Sequence, residues 1–153
     1  MSDTLRVPTE GELAELVGVR FPGGDVHIDK WWVDLVLDSM LAPVDGGATH
    51  PVFVFLVATS AMGWRWDELF AVFGAQESDG PMAGETETVV HHSLQVDQTY
   101  TVRGEIVSTV RKTGKRTGVF DIVEYRLDIL DVPGLLCAST TNSIVFPRRG
   151  ILA

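Results

Sequence analysis

The run Val52-Phe53-Val54-Phe55-Leu56-Val57-Ala58-Thr59-Ser60-Ala61-Met62 carries no charge on any face. A surface helix keeps a polar side toward water, so such a segment has to be covered by protein all round. Its valines and phenylalanines would also suit a buried strand. The flanks favour helix: Thr49 offers an N-cap, Pro51 falls in the first turn, and small residues lead to a break at Gly63. The remainder of the chain must then supply a layer able to enclose this helix.

From Gly84 onward the hydrophobic period changes to two. Tyr100, Val102, Ile106 and Val110 alternate with Thr101, Arg103, Glu105 and Thr109, and Val119, Val123, Tyr125, Leu127 and Ile129 continue the pattern. Thr113-Gly114-Lys115 and Asp131-Val132-Pro133-Gly134 read as turns, and a last strand runs from Leu135 to Phe146, which predicts an antiparallel meander. The helical signals all come earlier. Glu10 to Val17 is a short helix, Phe21-Pro22-Gly23-Gly24 a break, and Asp29 the N-cap of a helix on which Trp32, Leu35, Val36, Ser39 and Met40 recur, ending near Pro43. Trp66, Leu69, Phe70 and Phe73 form a further helix that Gly74 terminates. Helices followed by strands predict an α+β fold, a long central helix wrapped by a curved antiparallel sheet. A chain of 153 residues with 45% hydrophobic content makes one domain, read as 25–153 behind an N-terminal segment 1–24.

Composition narrows the function. The formal charge of −9 repels phosphate backbones, so no nucleic-acid partner is expected; the one basic cluster is Arg111, Lys112, Lys115 and Arg116. No apolar run approaches the roughly 18 residues of a membrane span, and the first residues lack the basic-then-apolar form of a signal peptide, so a cytoplasmic protein is expected. The single cysteine, Cys137, excludes an internal disulfide and sits in apolar Leu-Leu-Cys-Ala. Four histidines, of which His91 and His92 are adjacent, do not assemble a zinc site, and no metal or cofactor is expected.

Three stretches resemble the hotdog superfamily, and within it the MaoC-like group that includes FAS1-type dehydratase domains. They are the central helix after His50-Pro51, the segment His91 to Tyr100, in which Val96-Asp97-Gln98 stands where the group has Val-Gly-Asp, and the hairpin Lys112-Thr113-Gly114-Lys115-Arg116-Thr117-Gly118. Asn142-Ser143 and the hydrophobic end after it resemble the group's last strand. The resemblance covers about residues 25–147. It implies chemistry on acyl-CoA or acyl-carrier thioesters, and a homodimer or a heterodimer with another hotdog subunit. The group's hydratase signature, Gly-Asp-x-Asn-Pro-x-His, uses its aspartate and histidine to activate the water added across an enoyl thioester. Here Asp45 and His50 keep the spacing without the Asn-Pro between them. Members lacking the signature are non-catalytic halves that pair with a competent subunit.

Each candidate residue has two readings. His50, at the start of the central helix, suits a general acid or base, and equally a capping or surface histidine. Asp45 is its partner in that chemistry or a turn residue before Gly-Gly. Backbone amides at Val52 and Phe53 are placed to polarise a thioester carbonyl. Arg111, Lys112, Lys115 and Arg116 can hold the phosphates of coenzyme A or of a phosphopantetheine arm, or form a solvated hairpin tip. Trp31, Trp32, Trp64 and Trp66, with Phe53, Phe55, Phe70 and Phe73, fill a core or interface or line an acyl tunnel. Three functions are carried forward: a 2-enoyl or 3-hydroxyacyl thioester hydratase or dehydratase, a non-catalytic acyl-binding subunit, and a hotdog thioesterase, which lacks an acidic residue in the helix.

Overall fold

The computed structural model describes residues 5–43 and 47–151. In chain order the elements are α1 (Glu10–Glu15), β1 (Gly24–His27), α2 (Lys30–Ser39), α3 (Val52–Ser60), α4 (Trp66–Val72), a 3-10 turn at Glu77–Asp79, β2 (Met82–Val90), β3 (Thr99–Gly114), β4 (Gly118–Leu130) and β5 (Leu136–Pro147). The uncharged run is therefore a helix, α3, and it packs against β4 and β5 with Phe53, Val54, Val57 and Ala58 buried. It is shorter than the long central helix expected: nine residues, or about 13 Å of helix axis. No helix among the described residues is long and apolar enough to cross a membrane.

One five-stranded antiparallel sheet runs in the order β1-β3-β4-β5-β2. The stretch β3-β4-β5 is the expected meander. The two edges depart from it: the residues from the end of the Phe21–Gly24 break to His27 form β1 beside β3, and β2 lies at the far edge beside β5, although it precedes β3 in sequence. The N-terminal residues extend the β1 edge, with Phe21 N–H donating to Gly104 O at 2.9 Å and Ile106 N–H to Val19 O at 3.0 Å. Leu13 and Phe21 join the same buried cluster as Phe53, Leu127 and Phe146.

A β-bulge changes which side chains face the helices. Ile106 pairs with Tyr125 and Ser108 with Glu124, so Val107 has no opposite residue. An unopposed residue reverses the alternation beyond it. Val110, expected inside, is 45% exposed, and Arg111, expected at a solvated tip, turns toward the buried side. Helix α2 also presents a different face from the one expected. Val33 and Leu37 are buried, whereas Leu35 is 61% and Met40 40% exposed, because the row one position after Trp32 and Val36 points into the core, with those two packed partly buried beside it. Asp29 stands at the N-cap without a side-chain hydrogen bond.

Arg111 meets Asp121 on β4, which is fully buried. Arg111 Nε and Nη2 donate to the two carboxylate oxygens at 2.7 and 2.9 Å, and Nη2 also reaches Pro8 O at 2.9 Å. From just beyond β5, Arg148 donates Nε to Asp121 Oδ2 at 2.6 Å. Its other nitrogens donate to Phe73 O at 2.6 Å and Gly74 O at 3.2 Å, the carbonyls closing α4. One carboxylate thus joins the meander, α4 and the N-terminal stretch.

Beyond α3, Gly63 (φ +89°) lies against Gly23, where an added Cβ would sit 2.6 Å from the Gly23 nitrogen. Gly18 also has positive φ (+87°) but open space around it. Gly18→Ala is therefore expected to cost about 1 kcal/mol from backbone strain alone, and Gly63→Ala about 1–3 kcal/mol more from the clash. Urea unfolding of the two variants checks this; equal losses would remove the clash from the account.

Candidate functional site

The start of α3 is fixed from outside the helix. Thr49, expected to cap it, instead donates its amide to Leu94 O at 2.8 Å, Ala48 bridges to Gln95, and Val96 N–H donates to Gly47 O at 3.0 Å. Leu94 is buried, and Tyr100 accepts the Gln95 N–H on its hydroxyl at 2.8 Å, so the segment entering β3 holds the loop before α3. Pro51 takes the N-cap position in helical conformation, which moves the capping role back to His50.

Val52 N–H donates to His50 Nδ1 at 3.2 Å, and Phe53 N–H donates to His50 O at 2.9 Å. Both amides assigned to a thioester carbonyl are therefore occupied within the turn. The imidazole accepts on Nδ1, so its neutral form carries the proton on Nε2 and offers an N–H outward. The exposed ring borders a pocket of 160 Å³ that Leu37, Pro43, Ala48, Thr49 and Pro51 complete. Asp45 lies outside the described residues.

The basic residues are not brought to this pocket. Arg111 is bound to Asp121, whose carboxylate raises the pKa of the guanidinium. Lys112 borders a hollow with Val110, Ile122, Glu124 and Val145, none of which lines the His50 pocket. Lys115 and Arg116 are exposed at the hairpin tip. His91 and His92 follow β2 as exposed residues and both donate their amides to Cys137 O, at 2.8 and 3.0 Å. Burial pushes the Cys137 thiol up, which keeps it protonated.

A second pocket, of 230 Å³, lies beside α3. Phe55, Trp66 and Phe70 form its helical wall, and Thr86, Tyr125 and Asn142 are part of its sheet wall. Burial pushes the Tyr125 phenol up to about 12, so it is un-ionised at neutral pH. The sequence reading caught the aromatic density here. It missed Thr86 and took Asn142 only as part of a strand; the one signal for Asn142 is a polar residue at an inward position of the alternating β5.

No protein-family model matches the chain, and no curated protein matches it in sequence. Solved structures do match in fold. The ChsH1-ChsH2 complex from Mycobacterium tuberculosis is 12% identical, with 93% of each chain covered and a TM-score of 0.69. The C-terminally truncated HadBC complex from the same organism, a 3R-hydroxyacyl-ACP dehydratase, is 14% identical over 85% of this chain and 96% of that one, with a TM-score of 0.64. A MaoC-like dehydratase from Rhodospirillum rubrum is 15% identical over 91% and 98%, with a TM-score of 0.57. The helix α3 against its five-stranded antiparallel sheet is the hotdog fold, and the likeness to these structures is one of fold.

Proposed function

We propose that the chain is one subunit of an acyl-thioester hydratase or dehydratase, supplying the acyl pocket and a hydrogen-bond donor while a second hotdog chain supplies the base. The observation that carries this is the occupied Nδ1 of His50. Adding water to a 2-enoyl thioester needs one group to take a proton from water and another to support negative charge on the thioester oxygen. With Nδ1 bonded and the proton on Nε2, the neutral ring serves the second need. No carboxylate lines the His50 pocket among the described residues. The acyl group lies along α3 in the hollow of Phe55, Trp66 and Phe70. Arg111, bound to Asp121, takes no part; Lys112, Lys115 and Arg116 stand at the hairpin end of β3, away from its start where the His50 loop is held, and are read as a solvated tip.

Pairing runs through β2. All nine of its residues are exposed at the sheet edge, an open row of backbone groups suited to a second strand. The HadBC and ChsH1-ChsH2 structures are complexes of hotdog chains, which supports such a partner.

A self-sufficient hydratase is the second reading. It is favoured by the sequence spacing of Asp45 and His50, which is the aspartate-to-histidine spacing of the hydratase signature. The deciding experiment offers a panel of 2-enoyl-CoA thioesters to the purified chain and follows loss of the enoyl thioester absorbance. The proposal expects no turnover by the chain alone and turnover once it is co-expressed with a hotdog subunit bearing the Asp-x-Asn-Pro-x-His signature. Turnover by the chain alone overturns it, and His50→Ala and Asp45→Ala are then each expected to lower kcat by about 10²- to 10⁴-fold.

A further inference from the structure

Thr86, Asn142 and Tyr125 form one row across β2, β5 and β4. The row faces the helices and forms part of the wall of the pocket beside α3. Most of that wall is apolar, and no charged residue belongs to it. Asn142 is 4% exposed. The hydroxyls of Thr86 and Thr140 both donate to its Oδ1, at 3.0 and 3.3 Å, while its Nδ2 has no partner. With Oδ1 turned to the two hydroxyls, the NH₂ is the unmet group. A buried donor in an apolar wall is ordinarily satisfied, and nothing in the fold satisfies this one. An alkyl chain would leave it so.

We infer that this pocket takes a ring-sized apolar group bearing a neutral oxygen acceptor, such as a carbonyl, which receives the Asn142 Nδ2–H. The size supports this: 230 Å³ exceeds the roughly 150 Å³ of a cavity known to hold benzene, which leaves room for a ring and a short substituent. The aromatic side chains of Phe55, Trp66, Phe70 and Tyr125 offer faces and edges for such a ring. A carboxylate is disfavoured because no cation lines the pocket to offset its desolvation. For its natural ligand the inference rests on the proposed function: the substrate is then an acyl thioester whose acyl group carries an oxygen acceptor distant from the thioester. The pocket's preference itself depends on neither thioester nor partner.

The test compares acetophenone with ethylbenzene, which differ in the carbonyl, as ligands of the full chain, using tryptophan fluorescence for affinity and ¹⁵N NMR for the Asn142 side-chain NH₂. Acetophenone is expected to bind about tenfold tighter, the worth of roughly one net hydrogen bond. It is expected to shift the Asn142 NH₂ resonance, which ethylbenzene leaves in place. In Asn142→Leu the two ligands should bind alike. Equal affinities in the wild-type chain, no binding of either ligand, or an advantage for acetophenone that survives Asn142→Leu would each overturn the inference. Should that variant fail to fold, the wild-type NMR comparison decides alone. Failure here leaves the enoyl-thioester assay untouched, and failure of that assay leaves this result standing.

Discussion

Asp121→Ala is expected to lower the unfolding free energy by about 3–5 kcal/mol, because it leaves one buried and one largely buried guanidinium without their carboxylate. Arg148 has a side-chain exposure of 1% and cannot reach water without pulling away from α4, to whose last carbonyls it also donates. Total stabilities of domains this size are about 5–15 kcal/mol, so the loss is a large share of the whole. Replacing Arg111, Asp121 and Arg148 together by Met, Leu and Met is expected to recover most of it, since removing a buried ion cluster entirely costs far less than breaking it. Denaturant unfolding of the single and triple variants measures both. A loss below about 1 kcal/mol in Asp121→Ala would mean that water reaches the cluster.

Thr88→Pro is expected to abolish pairing while leaving the chain folded. His91 N–H donates to Cys137 O at 2.8 Å, and in an antiparallel ladder alternate residues turn their N–H groups the same way. Val89 and Glu87 therefore point toward β5, and Val90 and Thr88 point to the open edge. Proline at position 88 removes an outward donor and blocks strand addition without taking a bond from β5. Sedimentation equilibrium is expected to show assembly weakened by about a hundredfold or more, corresponding to at least about 2.7 kcal/mol, with thermal unfolding of the chain little changed. Unaltered assembly would move the interface off β2. The same variant should lose any turnover that depends on a partner subunit.

The elements that came straight from the sequence are those with a strong local pattern. The uncharged α3 run, the meander β3-β4-β5 and its two turns depend on period and on turn residues a few positions apart. What escaped depends on pairing between distant residues. Nothing near Val107 marks it as the unopposed residue of a bulge, yet that residue decides that Arg111 turns inward to Asp121 and Val110 outward. Thr49 and Pro51 looked like a cap and a first turn; the segment around Leu94 takes the Thr49 amide, and His50 becomes the cap. Helix α2 carries apolar residues on more than one face, and only the tertiary contact chooses Val33 and Leu37. At the site, the position of His50 at the head of α3 was legible, whereas the occupation of its Nδ1, of Val52 N–H and of Phe53 N–H was not. Asn142 was noticed only as part of a strand, since its lack of a partner is a fact about three strands at once.

The carboxylate that ties the sheet to α4 also sets an order of events during synthesis. Asp121 is made 27 positions before Arg148, a gap of about 1–5 s at ordinary translation rates. Until the turn after β5 appears, β4 must bury its acid against Arg111 alone or keep it hydrated, and the carbonyls ending α4 lack their donors. Completion of this fold thus waits for the residues that follow β5, and a chain that stops before Arg148 should stay open at the end where α4 meets the sheet.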